Sequence, residues 1–320
     1  MEYRLVSIII PIYNLAFYLR DCLDSCLNQV YPDFEVVCVD DGSTDQSADI
    51  VRAYIAIDSR IRLIQQKNAG VVSARNSGIS ASYGEYLYFL DGDDAFLPNT
   101  LDLLVKCAEQ TGADIVKGNY ITMDDSGRNS DKEPLLLSLN LSNGNDLFKY
   151  LCNTGAGAIW NNLIKKELYV RYVNVPVHLA VGEDLYALLQ LSRVVKRVVC
   201  VDEVTYRYRV RGTSVMNTDY HTNIRQSDCF VQRNIQLCNA LFQYAYEESS
   251  LTHSEKIDVE LMACDKMINF IFSTPYTDNT RIQVQLLYKK LFLNNRSVQI
   301  RLLKRSWKGY LSILCQGYKI

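Results

Sequence analysis

The chain has 320 residues, enough for one large domain with an appendage or for two modest domains. Hydrophobic residues make up 48% of it, charged residues 22%, and the formal net charge is -2. This balance is that of an ordinary soluble globular protein, and it argues against a nucleic-acid-binding protein, whose charge would be strongly basic.

The sequence contains neither an apolar run of about 18 residues nor a signal-peptide pattern ahead of its first predicted strand. Its ten cysteines are scattered, mostly as single residues in apolar stretches, and none forms a Cys-x-x-Cys pair. That scatter predicts buried thiols in a reducing compartment rather than disulfides or a zinc site. We therefore expect a cytoplasmic protein that does not span a membrane.

The first 115 residues alternate short β-branched apolar runs with stretches of helical period. The runs predict strands at Val6–Ile12, Phe34–Val39, Ile61–Ile64, Tyr86–Leu90 and Asp114–Val116. The stretches between them predict helices at Phe17–Gln29, Gln46–Ile57, Val71–Ala81 and Asn99–Glu109. Such an alternation is typical of βα units around a parallel sheet, so the predicted fold class is α/β.

The second half of the chain changes character twice. Residues 119–147 are polar and rich in Asp, Ser, Asn and Gly, which predicts a loop. A structured part follows at about 148–217, with the segment Ile159–Leu163 and a valine-rich run at 194–201. Beyond about residue 220, apolar residues recur at spacings of three and four, which predicts helices over Asn223–Glu247, Thr252–Phe272 and Arg281–Leu293.

Short local signals predict where several helices begin. Ser43 followed by Gln46 has the spacing of a capping box, and so does Thr252 followed by Glu255. Pro98 suits the first turn of the helix that follows it.

Polar residues are concentrated in three loops that follow predicted strands, at Pro11–Asn14, Asp40–Asp45 and Asp91–Asp94. Doubly wound sheets bind ligands beyond the carboxyl ends of their strands, so these loops form the candidate site. Each loop could instead be an ordinary turn, because Asp, Gly, Ser and Asn are also turn and helix-capping residues.

The last of these loops carries three carboxylates within four residues, Asp91, Asp93 and Asp94. They would repel one another unless a positive charge neutralised them. Mg²⁺ or Mn²⁺ would do so, since either binds through one or two carboxylates and the phosphate oxygens of a substrate. The sequence therefore predicts a divalent cation and a diphosphate here, with a solvated acidic turn as the alternative.

Four segments resemble the family 2 glycosyltransferases in order and spacing: VSIIIPIYN (6–14), LDSCLNQVYPDFEVVCVDDGSTDQS (23–47), NAGVVSARNSGI (68–79) and GEYLYFLDGDD (84–94). The segment VGEDLY (181–186) is a weaker match. The resemblance implies a GT-A fold, a Rossmann-like, doubly wound and mostly parallel sheet with a C-terminal helical extension. It divides the chain into a nucleotide-sugar-binding half at 1–118, an acceptor-binding half at 119–219 and a helical extension at 220–320.

The resemblance assigns donor-binding roles to single positions in the first two loops. Pro11, Tyr13 and Asn14 match the family's wall for the nucleobase and ribose. Asp41, the second acid of the DDGS segment, matches the residue that reads the uracil edge in enzymes that use uridine nucleotides.

Three further positions match the part of the family site that holds the diphosphate and its metal. Asp93 matches the direct metal ligand, and Asp91 matches a position near the ribose and the metal shell. Arg75 matches a cation that faces the nucleotide phosphates, although it could equally be a structural salt-bridge partner.

Glu183 and Asp184 resemble the family's ED motif, in which the aspartate acts as general base. The attacking hydroxyl must lose a proton as it displaces the diphosphate, and a positioned carboxylate can accept it. A single displacement inverts the anomeric centre. The alternative is an acidic first turn on a helix over Leu185–Leu191, which the helix dipole favours.

The resemblance implies a non-processive, metal-dependent, inverting glycosyltransferase of bacterial surface-polysaccharide assembly. It would move a sugar from a nucleoside diphosphate, of the UDP type, to a hydroxyl of a saccharide or lipid-linked saccharide. Trp160 and the segment Tyr206–Arg209 could contact the acceptor, or they could be strand-face residues. A non-catalytic glycan-binding or scaffold protein on a transferase fold is the alternative function.

Other enzyme classes lack their sequence signals. A dinucleotide oxidoreductase would carry a GxGxxG turn, and none occurs. A nucleotidyltransferase would have a Gly-rich loop with Arg and Lys after its first strand, where this chain has Pro11–Asn14. A processive synthase would show membrane spans and a QxxRW segment, and the chain has neither.

Basic residues dominate the C-terminal end, since residues 281–320 include nine Lys or Arg and no Asp or Glu. Between Arg296 and Leu314 the cations flank an apolar stripe that includes Trp307. A helix of this kind could lie on an anionic membrane, which would make the protein peripheral on the inner face of the cell membrane. The same stripe could instead pack the helix onto the rest of the protein.

Overall fold

The computed structural model describes residues 4–129, 141–211, 224–266, 278–293 and 295–305. They belong to two compact units. The first unit comprises Met1–Phe148, Ala158–Ala180 and Ala187–Asn217, and the second comprises Lys149–Gly157, Val181–Tyr186 and Thr218–Ile320.

The first unit is built on one eight-stranded sheet. In chain order its strands are β1 Val6–Ile12, β2 Phe34–Asp40, β3 Ile61–Gln65, β4 Tyr86–Phe89, β5 Ala95–Phe96, β6 Ile115–Met123, β7 Asn162–Lys165 and β8 Val198–Arg209. They lie side by side in the order β3-β2-β1-β4-β7-β6-β8-β5. The pairs β3/β2, β2/β1, β1/β4 and β6/β8 are parallel, and β4/β7, β7/β6 and β8/β5 are antiparallel. The sheet is therefore mostly parallel, as predicted.

Helices cover both faces of this sheet. In chain order up to residue 192, the helices are α1 Leu19–Leu27, α2 Ser47–Ile55, α3 Val71–Ala81, α4 Thr100–Thr111, α5 Gly144–Thr154, α6 Lys166–Tyr172 and α7 Glu183–Ser192, of which α5 and α7 belong partly to the second unit. Ile8 and Ile10 of β1 are buried in one cluster with α1, α2 and α4, and each stabilises the unit by roughly 1.5–3 kcal/mol. Ile9 between them points to the other face, where a Cβ on Gly78 of α3 would lie 2.7 Å from its Cγ2. The predicted doubly wound arrangement is confirmed.

The largest departure from the predicted elements is β6, which extends to Met123. The polar stretch predicted as a loop from residue 119 therefore begins as a strand. The cause is tertiary, because Tyr120–Met123 pairs with Tyr206–Arg209 of β8. Two segments that the sequence predicts as structured, without a type, overlap the start of β7 and the start of β8.

Helix starts match the predicted caps only in part. The capping box predicted from Ser43 is wrong, because Ser43 Oγ accepts a hydrogen bond from the backbone N–H of Asn14 (3.0 Å). α2 begins later, at Ser47, whose N–H donates to Asp45 Oδ1 (2.9 Å). Pro98 precedes the residue that caps α4, instead of occupying its first turn.

The second unit is helical where it is described, as the sequence predicts. Its helices are α8 Ile224–Glu247, α9 His253–Lys266, α10 Asp278–Tyr288 and α11 Arg296–Arg305, with a π-helical turn at Lys289–Leu293. The predicted capping box of α9 is confirmed, since the N–H of Thr252 donates to Glu255 Oε2 (2.8 Å) and the N–H of Glu255 donates to Thr252 Oγ1 (3.3 Å). None of the described helices combines the length and apolar character needed to cross a membrane. The predicted amphipathic tail from residue 306 onward, including Trp307, lies outside the described residues.

Candidate active site

The loops after β1 and β2 are held together by Asn14. Its backbone has a φ of +53°, a left-handed conformation that asparagine tolerates better than most residues. In this conformation its N–H donates to Ser43 Oγ (3.0 Å), and its Oδ1 accepts from the N–H of Thr44 (2.8 Å). The neighbouring Tyr13 is 50% exposed. Three predicted donor-binding positions, Pro11, Tyr13 and Asn14, therefore lie at the carboxyl end of β1 beside the loop after β2.

Asp41 is buried and joins the loop after β2 to the start of α3. Its Oδ1 accepts from Gln66 Nε2 (2.7 Å) and from the N–H of Ala69 (2.9 Å), and its Oδ2 accepts from the N–H of Gly70 (2.8 Å). A carboxylate has about four acceptor positions, so the protein uses most of those on Asp41. The side chain is fixed in direction and keeps room for one further donor.

The glycine after Asp41 makes this tight loop possible. Gly42 has a φ of +75°, and a Cβ there would lie 2.9 Å from the backbone nitrogen of Asn68. Any other residue would both strain the backbone and push the two loops apart.

Arg75 of α3 and Asp91 of the loop after β4 form an ion pair, with 3.3 Å between Arg75 Nη2 and Asp91 Oδ1. The Arg75 side chain is buried, and its guanidinium carbon lies 5.9 Å from the ring centre of Phe89. Two residues that the sequence assigned to the diphosphate site therefore meet. Arg75 is therefore a salt-bridge partner, as one of its two predicted roles requires. The same ion pair places its positive charge at the end of β4.

Asp93 is the most enclosed of the predicted metal ligands, since its side chain is 14% exposed. Arg211 lies against it, with 2.6 Å between Arg211 Nε and Asp93 Oδ2. Burial raises the pKa of the Asp93 carboxyl, and the charge of Arg211 acts against that shift.

Asp94, the third acid of the loop, has a structural role. Its Oδ2 accepts from the hydroxyl of Tyr206 (2.7 Å) and its Oδ1 from the N–H of Arg209 (2.7 Å). Burial raises its pKa well above the ordinary value, and the nearby charges of Asp93 and Asp91 raise it further. Both of its oxygens serve the connection between this loop and β8.

Arg209 holds the same loop from β8, a role that the sequence did not predict for it. Its side chain is 1% exposed, and its Nε donates to the backbone oxygen of Asp93 (2.7 Å). Its other nitrogens donate to the backbone oxygen of Asp125 (2.9 Å) and to Asp21 Oδ2 (2.9 Å). The alternation Tyr-Arg-Tyr-Arg in β8 places Arg207 and Arg209 on the same side of the strand, and it does not show that Arg209 is the one that is buried.

The carboxylates at the end of β4 fit a cation that needs few protein ligands. Among the described residues no three acidic, histidine or cysteine side chains are grouped so that they could hold a metal by themselves. Asp91 and Asp93 supply two carboxylates on one turn, while Asp94 is engaged by Tyr206 and Arg209. This donor set suits Mg²⁺ or Mn²⁺ held jointly by protein carboxylates and substrate phosphates.

Asp184 lies in the second unit, in the first turn of α7. The preceding Gly182 has a φ of +75°, and a Cβ there would lie 2.6 Å from Leu237 Cδ2. Asp184 thus occupies the first-turn position at which the helix dipole stabilises an acidic side chain. Its assignment as general base stays a prediction.

An aromatic cluster packs beside the acidic loop in the first unit. Trp160 stacks on Tyr206 (4.6 Å between ring centres) and on Tyr208 (5.4 Å), and Tyr120 meets it edge-on (5.0 Å). Tyr206 is fully buried and belongs to the core, whereas Trp160 and Tyr208 are half-buried. Because the Tyr206 hydroxyl binds Asp94, the half-buried rings lie close to the acidic loop.

The family model described as Glycosyl transferase family 2 matches residues 7–171, more than half of the chain. The chain belongs to glycosyl transferase family 2. The match runs from β1 into α6 and includes every predicted donor-site residue, which confirms the family assigned from the sequence segments.

A glycosyltransferase relative and similar solved structures extend this result. GlyG, a glycosyltransferase of Streptococcus pneumoniae serotype 4, is 32% identical over 231 residues, which cover 68% of this chain and 74% of GlyG. S. aureus TarS 1-349 in complex with UDP-GlcNAc has a TM-score of 0.71 at 17% identity, covering 98% of this chain and 89% of that one. This chain covers 54% of the longer TarS chain.

A third similar protein is the mannosyltransferase PcManGT from Pyrobaculum calidifontis, in complex with GDP-Man and Mn²⁺. Its TM-score is 0.57 at 17% identity, covering 98% of this chain and 86% of PcManGT. At these identities the likeness establishes the fold, and it confirms the predicted GT-A architecture of this family 2 glycosyltransferase.

Proposed function

We propose that this family 2 glycosyltransferase moves one sugar at a time from a UDP-sugar to a hydroxyl of a saccharide or lipid-linked saccharide, with inversion. The observation that carries the proposal is the pairing of Arg75 with Asp91 and of Arg211 with Asp93 at the end of β4. Two acids and two cations thus gather where doubly wound sheets bind ligands. That combination suits a diphosphate and a metal ion together.

The nucleoside of the donor would lie on the loops after β1 and β2. Tyr13 exposes a ring that can stack on a base, and Asp41 retains an acceptor position for a base N–H. Uracil offers such an N–H. The TarS complex with UDP-GlcNAc, on a similar fold, supports a uridine nucleotide.

Asp93, with Asp91 beside it, would hold Mn²⁺ or Mg²⁺. The ion, when bound, neutralises negative charge that builds on the departing diphosphate. Arg75 keeps its guanidinium at this place through Asp91, and Arg209 fixes the backbone of the loop. The Mn²⁺ complex of PcManGT supports a divalent cation in this fold.

For Asp184 we propose the role of general base. Its carboxylate would accept the proton of the acceptor hydroxyl as the oxygen of that hydroxyl forms a bond to the anomeric carbon and the bond to the diphosphate breaks. One displacement of this kind inverts the anomeric centre. The half-buried rings of Trp160 and Tyr208 would carry the apolar face of the acceptor sugar.

We further propose a cytoplasmic enzyme of surface-polysaccharide assembly that is peripheral on the inner face of the membrane. Exposed apolar residues of the second unit, Ile282, Leu286 and Leu293, support this location. Exposed Lys289 and Lys290 lie among them. Apolar residues flanked by cations are typical of surfaces that bind anionic lipids.

The experiment that tests the proposed function is a panel of nucleotide sugars with and without Mn²⁺. A ligand that binds only the folded state raises the apparent stability, so the true donor should raise the Tm only when metal is present. Transfer to a saccharide acceptor then separates the enzyme from the non-catalytic alternative, which would bind glycan and transfer nothing. If none of the UDP-sugars raises the Tm in the presence of metal, the proposal for the donor is overturned.

A further inference from the structure

Two arginines near the end of β8 contact the same aspartate in different ways. Arg209 donates through Nε to the backbone oxygen of Asp93 (2.7 Å), so it holds the loop. Arg211, two residues further on, lies with its Nε 2.6 Å from Asp93 Oδ2, so it covers a carboxylate oxygen. Only the second contact competes directly with a metal for the aspartate.

The enclosure of Asp93 explains why a cation stands beside it. A carboxylate withdrawn from water is strongly disfavoured unless a positive charge or several hydrogen bonds compensate. Asp93 is 14% exposed and Arg211 is 23% exposed, so each withdraws the other from water. Arg211 thus supplies the positive charge beside Asp93 that the sequence analysis expected from a metal ion.

We propose that Arg211 is a counter-cation for Asp93 that makes metal binding conditional on the donor diphosphate. The proposal rests on the proposed function, because it concerns the same nucleotide and metal site. A bare divalent ion must displace the guanidinium from Asp93, and it brings no anion that the guanidinium could bind instead. An ion that arrives with a diphosphate also brings phosphate oxygens, which a guanidinium binds through two parallel hydrogen bonds.

Arg211 is better suited to this exchange than its neighbours. Arg209 is bound by backbone oxygens and by Asp21, and its side chain is 1% exposed. Arg211 is more exposed, and its guanidinium carbon lies 5.2 Å from the ring centre of Tyr18, as that of Arg209 does. A cation can rest over that aromatic ring after it leaves Asp93.

Thermodynamic linkage turns the proposal into a measurable coupling. If the diphosphate strengthens metal binding by some factor, the metal strengthens diphosphate binding by the same factor. Removing the guanidinium should therefore improve binding of the metal alone and weaken its dependence on nucleotide. Arg211 as well as Asp93 would then determine how tightly the metal binds.

The test measures Mn²⁺ binding by the loss of the free Mn²⁺ signal in electron paramagnetic resonance, with and without UDP. For the wild type we expect UDP to tighten Mn²⁺ binding by about tenfold or more, within the usual range of coupling between sites. For Arg211→Gln we expect Mn²⁺ alone to bind about tenfold more tightly than to the wild type, and the effect of UDP to shrink to a few-fold. Arg207→Gln is the matched control, because it removes the same charge from β8 at a residue that contacts Asn129 and Gly127.

The outcomes separate this inference from the proposed function. If the wild type binds no Mn²⁺ even with UDP, the proposed function fails and the inference fails with it. If the wild type shows the coupling but Arg211→Gln binds Mn²⁺ alone no better, or Arg207→Gln gains as much, the inference alone is overturned. Should Arg211→Gln not fold, Arg211→Lys keeps the charge beside Asp93 and loses the fork, so it must bind Mn²⁺ alone about as weakly as the wild type does while the effect of UDP shrinks.

Discussion

The hydroxyl of Tyr206 donates a 2.7 Å hydrogen bond to Oδ2 of Asp94, and so joins β8 to the acidic loop after β4. Tyr206→Phe removes this donor and leaves the ring in place. A buried acceptor that loses its partner costs about 1–3 kcal/mol, so we expect the free energy of unfolding to fall by that amount. Urea unfolding measures the change.

A matched variant, Tyr120→Phe, removes a hydroxyl from the same aromatic cluster without touching Asp94. We expect it to change the free energy of unfolding by less than about 0.5 kcal/mol, as for substitutions away from buried hydrogen bonds. Equal losses in the two variants would show that the hydrogen bond from Tyr206 to Asp94 does not stabilise the fold.

The lowered pKa of Glu35, at the start of β2, leads to a prediction of how the free energy of unfolding depends on pH. Burial raises the pKa of its carboxyl, but hydrogen bonds from Ser7 and the Tyr83 N–H, with the guanidinium of Arg62, outweigh burial and lower it. A lowered folded-state pKa gives stability that is present above the unfolded value of about 4.3 and is lost as the pH falls through the folded value.

We therefore expect the wild type to be about 1–3 kcal/mol more stable than Glu35→Gln at pH 7, and this margin to shrink below about pH 4. Urea unfolding of both proteins between pH 3 and pH 7 tests the expectation. Glu85→Gln is the control, since Glu85 is an exposed acid paired with Arg4 (2.8 Å). A margin for Glu35 that stays constant across this range would contradict the assignment.

Asp93→Ala tests the metal ligand. We expect it to abolish the part of UDP binding that depends on Mn²⁺ and to leave the fold intact, because this carboxylate acts on a ligand and the loop keeps its bonds to Arg209 and Tyr206. Calorimetric titration of UDP with and without Mn²⁺ measures the effect. Asp102→Ala, which removes a surface acid of α4 paired with Lys106 (2.8 Å), should behave as the wild type does. A variant at Asp93 that still responds to Mn²⁺ would remove it from the metal site.

Asp184→Asn tests the general base, since it keeps the shape of the side chain and removes its capacity to accept a proton. We expect kcat to fall by roughly 10² or more, with donor affinity little changed. Glu183→Gln removes the other acid of the same helical turn. If Asp184 only complements the helix dipole, both variants should lose about 0.3–1 kcal/mol of stability and keep their turnover.

The elements predicted well from the sequence are those whose signals are local. β1 and α3 have their predicted bounds, because an apolar run buried on both faces and a helical period between turn residues do not depend on distant partners. The predicted strand at β6 is too short, because the second half of β6 is polar and forms a strand only through its pairing with β8. Pairing partners far along the chain leave no local signal.

The candidate site divides in the same way. Asp41, Arg75, Asp91 and Asp93 follow successive strands, and sequence order alone brings them to one edge of a parallel sheet. The contact from Arg209 to Asp93 spans 116 positions, so no local pattern pairs them. The arginines of β8 could be identified as strand residues, but their partner emerges only from the fold.

The membrane proposal makes the last prediction, and α11 limits how it can be tested. Val298 of α11 is fully buried, and Arg301 Nη1 lies 2.7 Å from Asp258 Oδ1 of α9. This part of the C-terminal segment packs onto the second unit, as the packing alternative requires. Deleting α11 would therefore disturb the fold as well as any lipid contact, and substitutions on the exposed face of α10 are the sharper test.

Ile282 and Leu286 are exposed on α10, one turn apart, and Lys289 and Lys290 follow them. Cations near an anionic surface contribute about 1 kcal/mol each, so reversing both lysines to Glu should weaken co-sedimentation with anionic vesicles by roughly tenfold or more at low salt. Replacing Ile282 and Leu286 with Ser should weaken it further by removing the inserted apolar surface, and high salt should release the wild type. Tyr246→Ser, which alters an exposed aromatic residue of α8, is the matched control. Vesicle binding that survives both double variants, or that falls equally with Tyr246→Ser, would assign this face to protein contacts, because a lipid surface must respond to the charge and the apolar area that touch it.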